Sequence, residues 1–413
     1  MKLLVYETSS FIVGEKTILS QKINSRMKSV PQLILFLCFF TIFITNAQVF
    51  NPYYNGIVEN TSSTNILNDL TTLVDFGVKE PGSSEIENAK NWIIARYQAL
   101  GYTAIETQEF NVSGQTTSNI IITKTGSVYP NTFLIIDGHY DTINGPGAND
   151  NGSGTILILE LARLLKDVDT EYSIKFIHFS GEEEGLIGSE YYVNNTVIPE
   201  NLDIKLVLNI DEVGGVAGMN NNTIVCERDE SSPGSNNAQS AQATQEMANC
   251  FGLYSNLQTE ISYAYASDYM PFEDNGEIIT GLYEANESPY PHGPNDIIEN
   301  MDPDYVFEVA KGTLGSALHF AVAREPLGIS ENNLEANIML YPNPTEGILN
   351  IRLNTSLSEP LEMAVFDVLG KKVYNTSLNI ENTTLDLRFL GSGVYAAVFK
   401  TGDDLAVKRI ILE

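Results

Sequence analysis

Phe133-Leu134-Ile135-Ile136-Asp137-Gly138-His139-Tyr140-Asp141 runs from unbroken apolar residues straight into a histidine flanked by carboxylates. An apolar run this short, stopped by glycine, suits a buried strand. The same event recurs twice: Ser173 to Phe179 runs into Ser180-Gly181-Glu182-Glu183, and Leu206 to Ile210 ends in Asp211-Glu212. In an open parallel sheet, ligands bind in the crevice beyond the carboxyl ends of the strands. Three such ends bearing His and carboxylates therefore predict one shared cleft.

Helical patterns separate these strands. Apolar residues at Ile86, Ala89, Trp92, Ile93, Tyr97 and Leu100 predict a helix over 84–100 that stops at Gly101, and a strand-like region follows from Thr103 to Thr123. Thr132 to Asp137 is a strand, and helices are expected at Thr155 to Leu165, Ser189 to Asn194, Ala238 to Phe251 and Pro303 to Ala323. Strands alternating with helices predict an α/β fold with a mostly parallel mixed sheet flanked by helices. From Ile338 onward the pattern changes to short strands divided by Pro-Asn-Pro, Leu-Gly-Lys, Gly-Ser-Gly and Thr-Gly-Asp-Asp turns, which predicts a small all-β sandwich.

Residues 1–47 are expected to be a signal region, not part of the fold. Arg26 and Lys28 precede an apolar run from Leu33 to Ile44, and Thr45-Asn46-Ala47 offers small residues for cleavage. The run is short for a bilayer span, so no transmembrane anchor is expected after its removal, the alternative being an N-terminal membrane anchor, and Met27 is the expected true start. The expected layout is therefore 1–47 signal, 48–325 catalytic domain, 326–337 linker and 338–413 β-sandwich.

Without residues 1–47 the chain holds 18 Lys+Arg against 51 Asp+Glu, and 11 against 42 of these lie in residues 48–336. So negative a field repels nucleic acid and anionic membrane while drawing cations. Cys226 and Cys250 are the two cysteines beyond the signal. An even pair in an exported chain reads as a disulfide, the alternative being two buried thiols. No cysteine cluster is available for a metal, so any ion must be held by His and carboxylate.

Five side chains have that chemistry at strand ends or in rigid loops: His139, Asp150, Glu183, Asp211 and His292. His139 and Asp141, two apart on extended chain, point to one face, so the carboxylate can accept from the ring nitrogen not used for metal. Asp150 lies in the loop Ala148-Asn149-Asp150-Asn151-Gly152-Ser153-Gly154, placed to bridge two ions. Adjacent Glu182 and Glu183 repel unless a cation neutralises them; Glu183 is assigned to metal and Glu182 to a general base. His292 stands between two prolines. His178, inside a strand, and His319, on an apolar helix, are read as structural. Two Zn²⁺ would balance Asp150, Glu183, Asp211 and one hydroxide.

These segments resemble the co-catalytic zinc aminopeptidases of the bacterial leucyl aminopeptidase type. The likeness rests on Gly138-His139-Tyr140-Asp141, Gly147 to Gly154, Gly181-Glu182-Glu183-Glu184-Gly185-Leu186-Ile187-Gly188-Ser189, Asn209-Ile210-Asp211 and His292-Gly293-Pro294-Asn295-Asp296. It covers about residues 68–324 and implies the zinc exopeptidase fold. It also implies two Zn²⁺ per chain, with His139 and Asp211 on one, Glu183 and His292 on the other, Asp150 bridging, and a cis Asp150–Asn151 peptide. Tyr269 stands where the resemblance implies His, and Gly293 where Thr is usual; both departures bear on specificity. The tail, through Tyr341-Pro342-Asn343-Pro344, Val365 to Gly370, Leu390 to Tyr395 and Val407 to Ile411, resembles the C-terminal sorting domain read by the type IX secretion system. That implies export across the outer membrane, to the cell surface or medium.

The expected function is a secreted metallo-exopeptidase that hydrolyses amino-terminal residues from peptides, with Glu182 as general base and Asp141 supporting His139. Its partners would be peptide substrates and the secretion machinery. The alternatives are a carboxypeptidase or dipeptidase, against which the scarcity of Arg (Arg96, Arg163, Arg228, Arg324) argues; a glutaminyl cyclase with one zinc; and a non-catalytic binding protein.

Overall fold

The computed structural model describes residues 48–264, 266–325, 333–354, 360–378, 382–402 and 404–413. The expected signal segment and linker residues 326–332 lie outside these. Three helices lead in: α1 (Pro52–Val58), α2 (Ser63–Val74) and α3 (Ser84–Ala99). Ser62 and Ser83 cap α2 and α3, each hydroxyl accepting a backbone N–H of the first turn. Next come β1 (Ile105–Val112), β2 (Gln115–Lys124), β3 (Tyr129–His139), α4 (Gly154–Leu165), β4 (Asp169–Thr170), β5 (Tyr172–Phe179), α5 (Ile187–Tyr192), α6 (Ile198–Glu200) and β6 (Asp203–Ile210). The second half adds β7 (Thr223–Arg228), α7 (Asn237–Tyr254), β8 (Gln258–Tyr263), α8 (Met270–Asp274), β9 (Ile279–Glu284), α9 (Pro303–Phe320) and β10 (Ala323–Arg324). None of the described helices is long and apolar enough to cross a membrane.

Eight strands form one mixed sheet in the order β1-β2-β5-β3-β6-β9-β7-β8. Its centre, β5-β3-β6-β9, is parallel, while the β1-β2 hairpin and the β7-β8 pair join antiparallel at either side. The expected strand over 103–123 is thus a hairpin, turned at Ser113-Gly114 where both residues have positive φ. Sequence reading missed β7, β8 and β9.

Side-chain alternation sorts the apolar runs onto two covered faces. Ile120, Ile122, Leu134, Ile136, Ile174, Phe176, Leu206 and Leu208 join one core with α1–α4, α7 and α9. Ile121, Ile135, Ile177, Phe179 and Val207 face the other way and pack with Tyr192, Tyr269 and Phe272. Burying an Ile or Leu fully contributes about 1.5–3 kcal/mol, so the central strands are anchored on both sides. Close packing also explains Gly138 and Gly154: a Cβ on either would meet the Ile210 carbonyl oxygen, at 2.6 and 2.3 Å.

The tail begins with α10 (Asn333–Asn337), a short helix in what reads as linker, and continues through β11 (Ile338–Tyr341), β12 (Ile348–Leu353), β13 (Leu361–Phe366), β14 (Lys372–Leu378), β15 (Asn382–Asp386), β16 (Gly393–Thr401) and β17 (Asp404–Leu412). These form antiparallel sheets β11-β12-β15 and β14-β13-β16-β17. Leu349 and Ile351 from one and Met363, Val365, Phe399 and Ile410 from the other share a core. The fold class is as expected, an α/β body followed by all-β sheets.

Cys226 and Cys250 are free thiols, which corrects the expectation of a disulfide. Cys226 on β7 and Cys250 on α7 are both fully buried in the same apolar core and act there as small hydrophobic residues.

Candidate metal centre and active site

The parallel strands deliver the chemistry to one edge of the sheet. His139 closes β3, Glu182 and Glu183 follow β5, Asp211 follows β6, and the segment after β9 carries His292. All five expected ligands meet. His139, Asp150 and Asp211 form one group and Asp150, Glu183 and His292 another, with the ligand atoms of each within 4.8 Å of one another.

Asp150 divides its two oxygens between the groups. Its Oδ1 lies 3.4 Å from His139 Nε2, and its Oδ2 lies 3.2 Å from His292 Nε2. His139 Nε2 is also 3.4 Å from Asp211 Oδ1, and His292 Nε2 is 3.0 Å from Glu183 Oε2. Glu182 belongs to neither group; its Oε2 stands 4.0 Å from His139 Nε2. The Asp150–Asn151 peptide is cis.

Asp141 plays two parts. Its carboxylate lies 3.6 Å from His139 Nδ1, while its own backbone carbonyl is nearer that nitrogen, at 3.2 Å. The carboxylate oxygens accept the backbone N–H groups of Glu182 and Glu183, each at 3.4 Å. Asp141 thus steadies both the imidazole and the acidic turn.

Several positioning residues escaped the sequence reading. Glu284, at the end of β9 and 1% exposed, accepts from Asn149 Nδ2, Gly215 N and Ser288 N at 3.0, 2.6 and 2.7 Å. One carboxylate therefore gathers the loops that carry Asp150, Asp211 and His292. Asp296 accepts the backbone N–H groups of Asn149 and Asp150 at 2.8 and 3.0 Å. Ser267 Oγ donates to Asp211 Oδ2 at 2.7 Å. Glu284 carried the signal that found the others, an acid at the end of an apolar strand.

Tyr269 does not line the cleft. It is 1% exposed, its hydroxyl donates to Glu227 Oε2 at 2.7 Å, and its ring fills the space over Gly281. His178 and His319 lie apart from the cluster, His178 Nε2 pairing with Tyr97 and His319 Nε2 with Tyr254.

The protein groups by themselves are out of electrostatic balance. Burial, reinforced by neighbouring acids, pushes Glu182 up to about 7, Glu183 up to about 9 and Glu212 up to about 10. The bond to Asp150 lifts His292 to about 9. His139 is raised well above its ordinary range: burial opposes the charge, but Asp211 and Glu182 outweigh it. Asp150 also feels burial, and its bonds to the two histidines overcome it and hold the carboxyl below the usual range. Glu183 Oε1 and Asp211 Oδ1 are buried without completing a hydrogen bond. Nitrogen and oxygen donors converging this way, three acids facing two imidazoles, fit a pair of divalent cations.

Residues 119–316 match the family model described as peptidase family M28. This segment belongs to peptidase family M28. The M28 segment is followed by residues 339–413, which match the secretion system C-terminal sorting domain; this marks the chain for type IX secretion, to the medium or the cell surface. Aminopeptidase YwaD of Bacillus subtilis is 32% identical over 222 residues, 52% of this chain and 46% of that protein. The chain thus spans about half the length of that relative. Among solved structures, an aminopeptidase from Aneurinibacillus sp. strain AM-1 aligns with TM-score 0.57 and 19% identity, covering 67% of this chain and 98% of that one. The Macrostomum lignano glutaminyl cyclase aligns with TM-score 0.59 and 14% identity, over 68% and 97%. At such identities these likenesses establish the shared α/β fold.

Proposed function

We propose that this chain is a secreted, zinc-dependent exopeptidase that removes amino-terminal residues from peptides. The observation that carries the reading is the division of Asp150 between two three-residue groups while Glu182 stays outside both. His139 and Asp211 would hold one ion, Glu183 and His292 the other, and Asp150 both. Zinc bound there supplies Lewis acidity that polarises a carbonyl and lowers the pKa of a water in the cleft.

The chain's own residues do the rest. Asp141, at the Nδ1 side of His139, leaves Nε2 facing the cluster. Glu182 takes a proton from the attacking water and passes it to the departing amine, acting as base and then acid. Its backbone N–H rests on Asp141, which fixes the turn from which the carboxylate reaches the cleft. The strongly acidic field of residues 48–336 would draw a free amino terminus toward the cleft, which favours exopeptidase over endopeptidase cleavage.

The test is Glu182→Gln: zinc content stays at the wild-type level while turnover of an aminoacyl nitroanilide falls by about 10²–10⁴-fold. Near-normal turnover would remove Glu182 from the mechanism. The fold is shared with a glutaminyl cyclase, so the second reading is a one-zinc cyclase. Two ions per chain and release of free amino acids favour the peptidase, whereas one ion and pyroglutamate formation favour the cyclase. We further propose the limits 1–47, 48–325, 326–337 and 338–413 for signal, catalytic domain, linker and sorting domain.

A further inference from the structure

Lys79 stands between α2 and α3, where nothing in the sequence marks it, yet its side chain is fully buried. Its Nζ donates to the Pro146 carbonyl at 2.6 Å and to the Gly77 carbonyl at 3.1 Å. The backbone completes the tie: Lys79 N–H donates to Thr142 Oγ1 at 2.9 Å, and the Lys79 carbonyl accepts from Thr142 N–H at 3.2 Å. An ammonium is costly to bury, and among the described residues no ion pair offsets that cost at Lys79. Asp296, Asp141 and Asp150 attract its charge from further away.

The loop held in this way, residues 142–147, leads from His139 toward Asp150 and closes tightly on itself. Thr142 Oγ1 donates to the Gly145 carbonyl at 3.0 Å. Gly147, at φ +63°, has no room for a Cβ against Thr142 and the Asp150 carbonyl. The loop also backs onto the neighbour of a candidate metal ligand: a Cβ on Gly145 would overlap the Gly293 carbonyl. Asp296 N–H donates to that same carbonyl at 3.1 Å, and Ala148 N–H donates to the Asp296 carbonyl at 3.1 Å. Loop 142–148 and turn 293–296 are therefore packed backbone to backbone.

This contact matters because the two histidines are held differently. His139 is 1% exposed and has Asp141 at its Nδ1 side. The His292 side chain is 61% exposed, and among the described residues no hydrogen bond reaches its Nδ1. A ligating imidazole is ordinarily oriented by a partner on its other nitrogen. Without one, His292 depends on its backbone, which sits at φ +54°. Few residues other than glycine adopt that conformation, so the segments packed on the turn must hold it.

We propose that Lys79 is a positioning residue for the second ligand group: its buried ammonium pins loop 142–147, which backs the Gly293 turn and so sets where His292 meets Asp150 and Glu183. The inference rests on the two-ion reading above. Lys79 does for His292, by way of the backbone, what Asp141 does for His139 directly. Removing the ammonium takes a donor from the Pro146 and Gly77 carbonyls and frees the loop to draw away from Gly293. The Glu183–His292 position then loses its ion before the His139–Asp211 position does.

The test is a zinc titration of the metal-free full chain against a chromogenic chelator, with His292→Ala marking the step that belongs to the second group. Wild type takes two ions. Lys79→Met, which keeps the length of the side chain without its charge, is expected to weaken the marked step by about 10–100-fold and to leave the other unchanged. Gly145→Ala acts on the same contact from the loop side and weakens the same step, and the double variant loses less than the sum of the two losses. Ile93→Val, a core change on α3, is the control: it lowers Tm and moves neither step. If Lys79→Met fails to fold, Lys79→Gln takes its place. Two unchanged steps, or equal weakening of both, would make Lys79 a merely structural residue and overturn the proposal while leaving the two-ion centre intact. A wild type that takes a single ion would overturn both.

Discussion

Glu284 Oε1 accepts a hydrogen bond from Asn149 Nδ2 at 3.0 Å, joining the end of β9 to the residue before Asp150. The same carboxylate holds Gly215 and Ser288, so the geometry of both ligand groups depends on an acid that touches neither. Glu284→Gln keeps the shape but turns an N–H₂ toward donors. The expected result is zinc affinity lowered by about 10–100-fold and stability lowered by about 1–3 kcal/mol. Competition with a chromogenic chelator measures the first and urea unfolding the second. Unchanged zinc affinity would reduce Glu284 to a local loop tie.

Metal binding should expel protons. Before an ion arrives, Glu183 and His292 are each raised to about 9, so at pH 7 both carry protons that a ligand must lose. Raised values mean that the metal-free cluster holds these protons up to about pH 9, and zinc affinity therefore climbs from pH 6 to pH 9 and levels beyond. Adding zinc to apoprotein in weak buffer at pH 7 should release protons from His139 as well as from this pair, read with a pH indicator. No release would mean that the ions bind elsewhere.

His178 sets part of the acid sensitivity of the fold. It is fully buried against Tyr97, and loss of hydration lowers its pKa from 6.5 to about 3. A depressed folded value means that the contribution is fully present above 6.5 and drains away as pH falls from 6.5 toward 3, by up to about 1.4 kcal/mol per pH unit. His178→Gln should be less stable than wild type by about 1–2 kcal/mol at pH 8, and that gap should narrow by pH 5. Urea unfolding at both pH values measures it; a constant gap would contradict a neutral buried imidazole.

Much of this centre was legible in sequence because its ligands mark strand ends. His139, Glu183 and Asp211 each follow an apolar run, and β3, β5 and β6 stand where those runs do. β9 was harder to read: Gly281 interrupts it, and that glycine is needed because a Cβ there would meet the Tyr269 ring at 2.6 Å. Missing β9 hid Glu284 as well. β8 is an edge strand whose Gln258, Glu260, Ile261 and Tyr263 are exposed, so it lacks the apolar run by which a central strand announces itself. The cysteine reading failed for another reason: parity of count says nothing of where two side chains point, and both thiols serve as core packing.

The central claim is that Asp150 is shared by two cations while Glu182 remains free. Anomalous diffraction at the zinc edge, from crystals of the zinc-loaded chain, tests it most directly. The account predicts two peaks flanking Asp150, one within bonding distance of His139 and Asp211, the other of Glu183 and His292, with Glu182 on neither. A single peak, or one that includes Glu182 among its ligands, would contradict it.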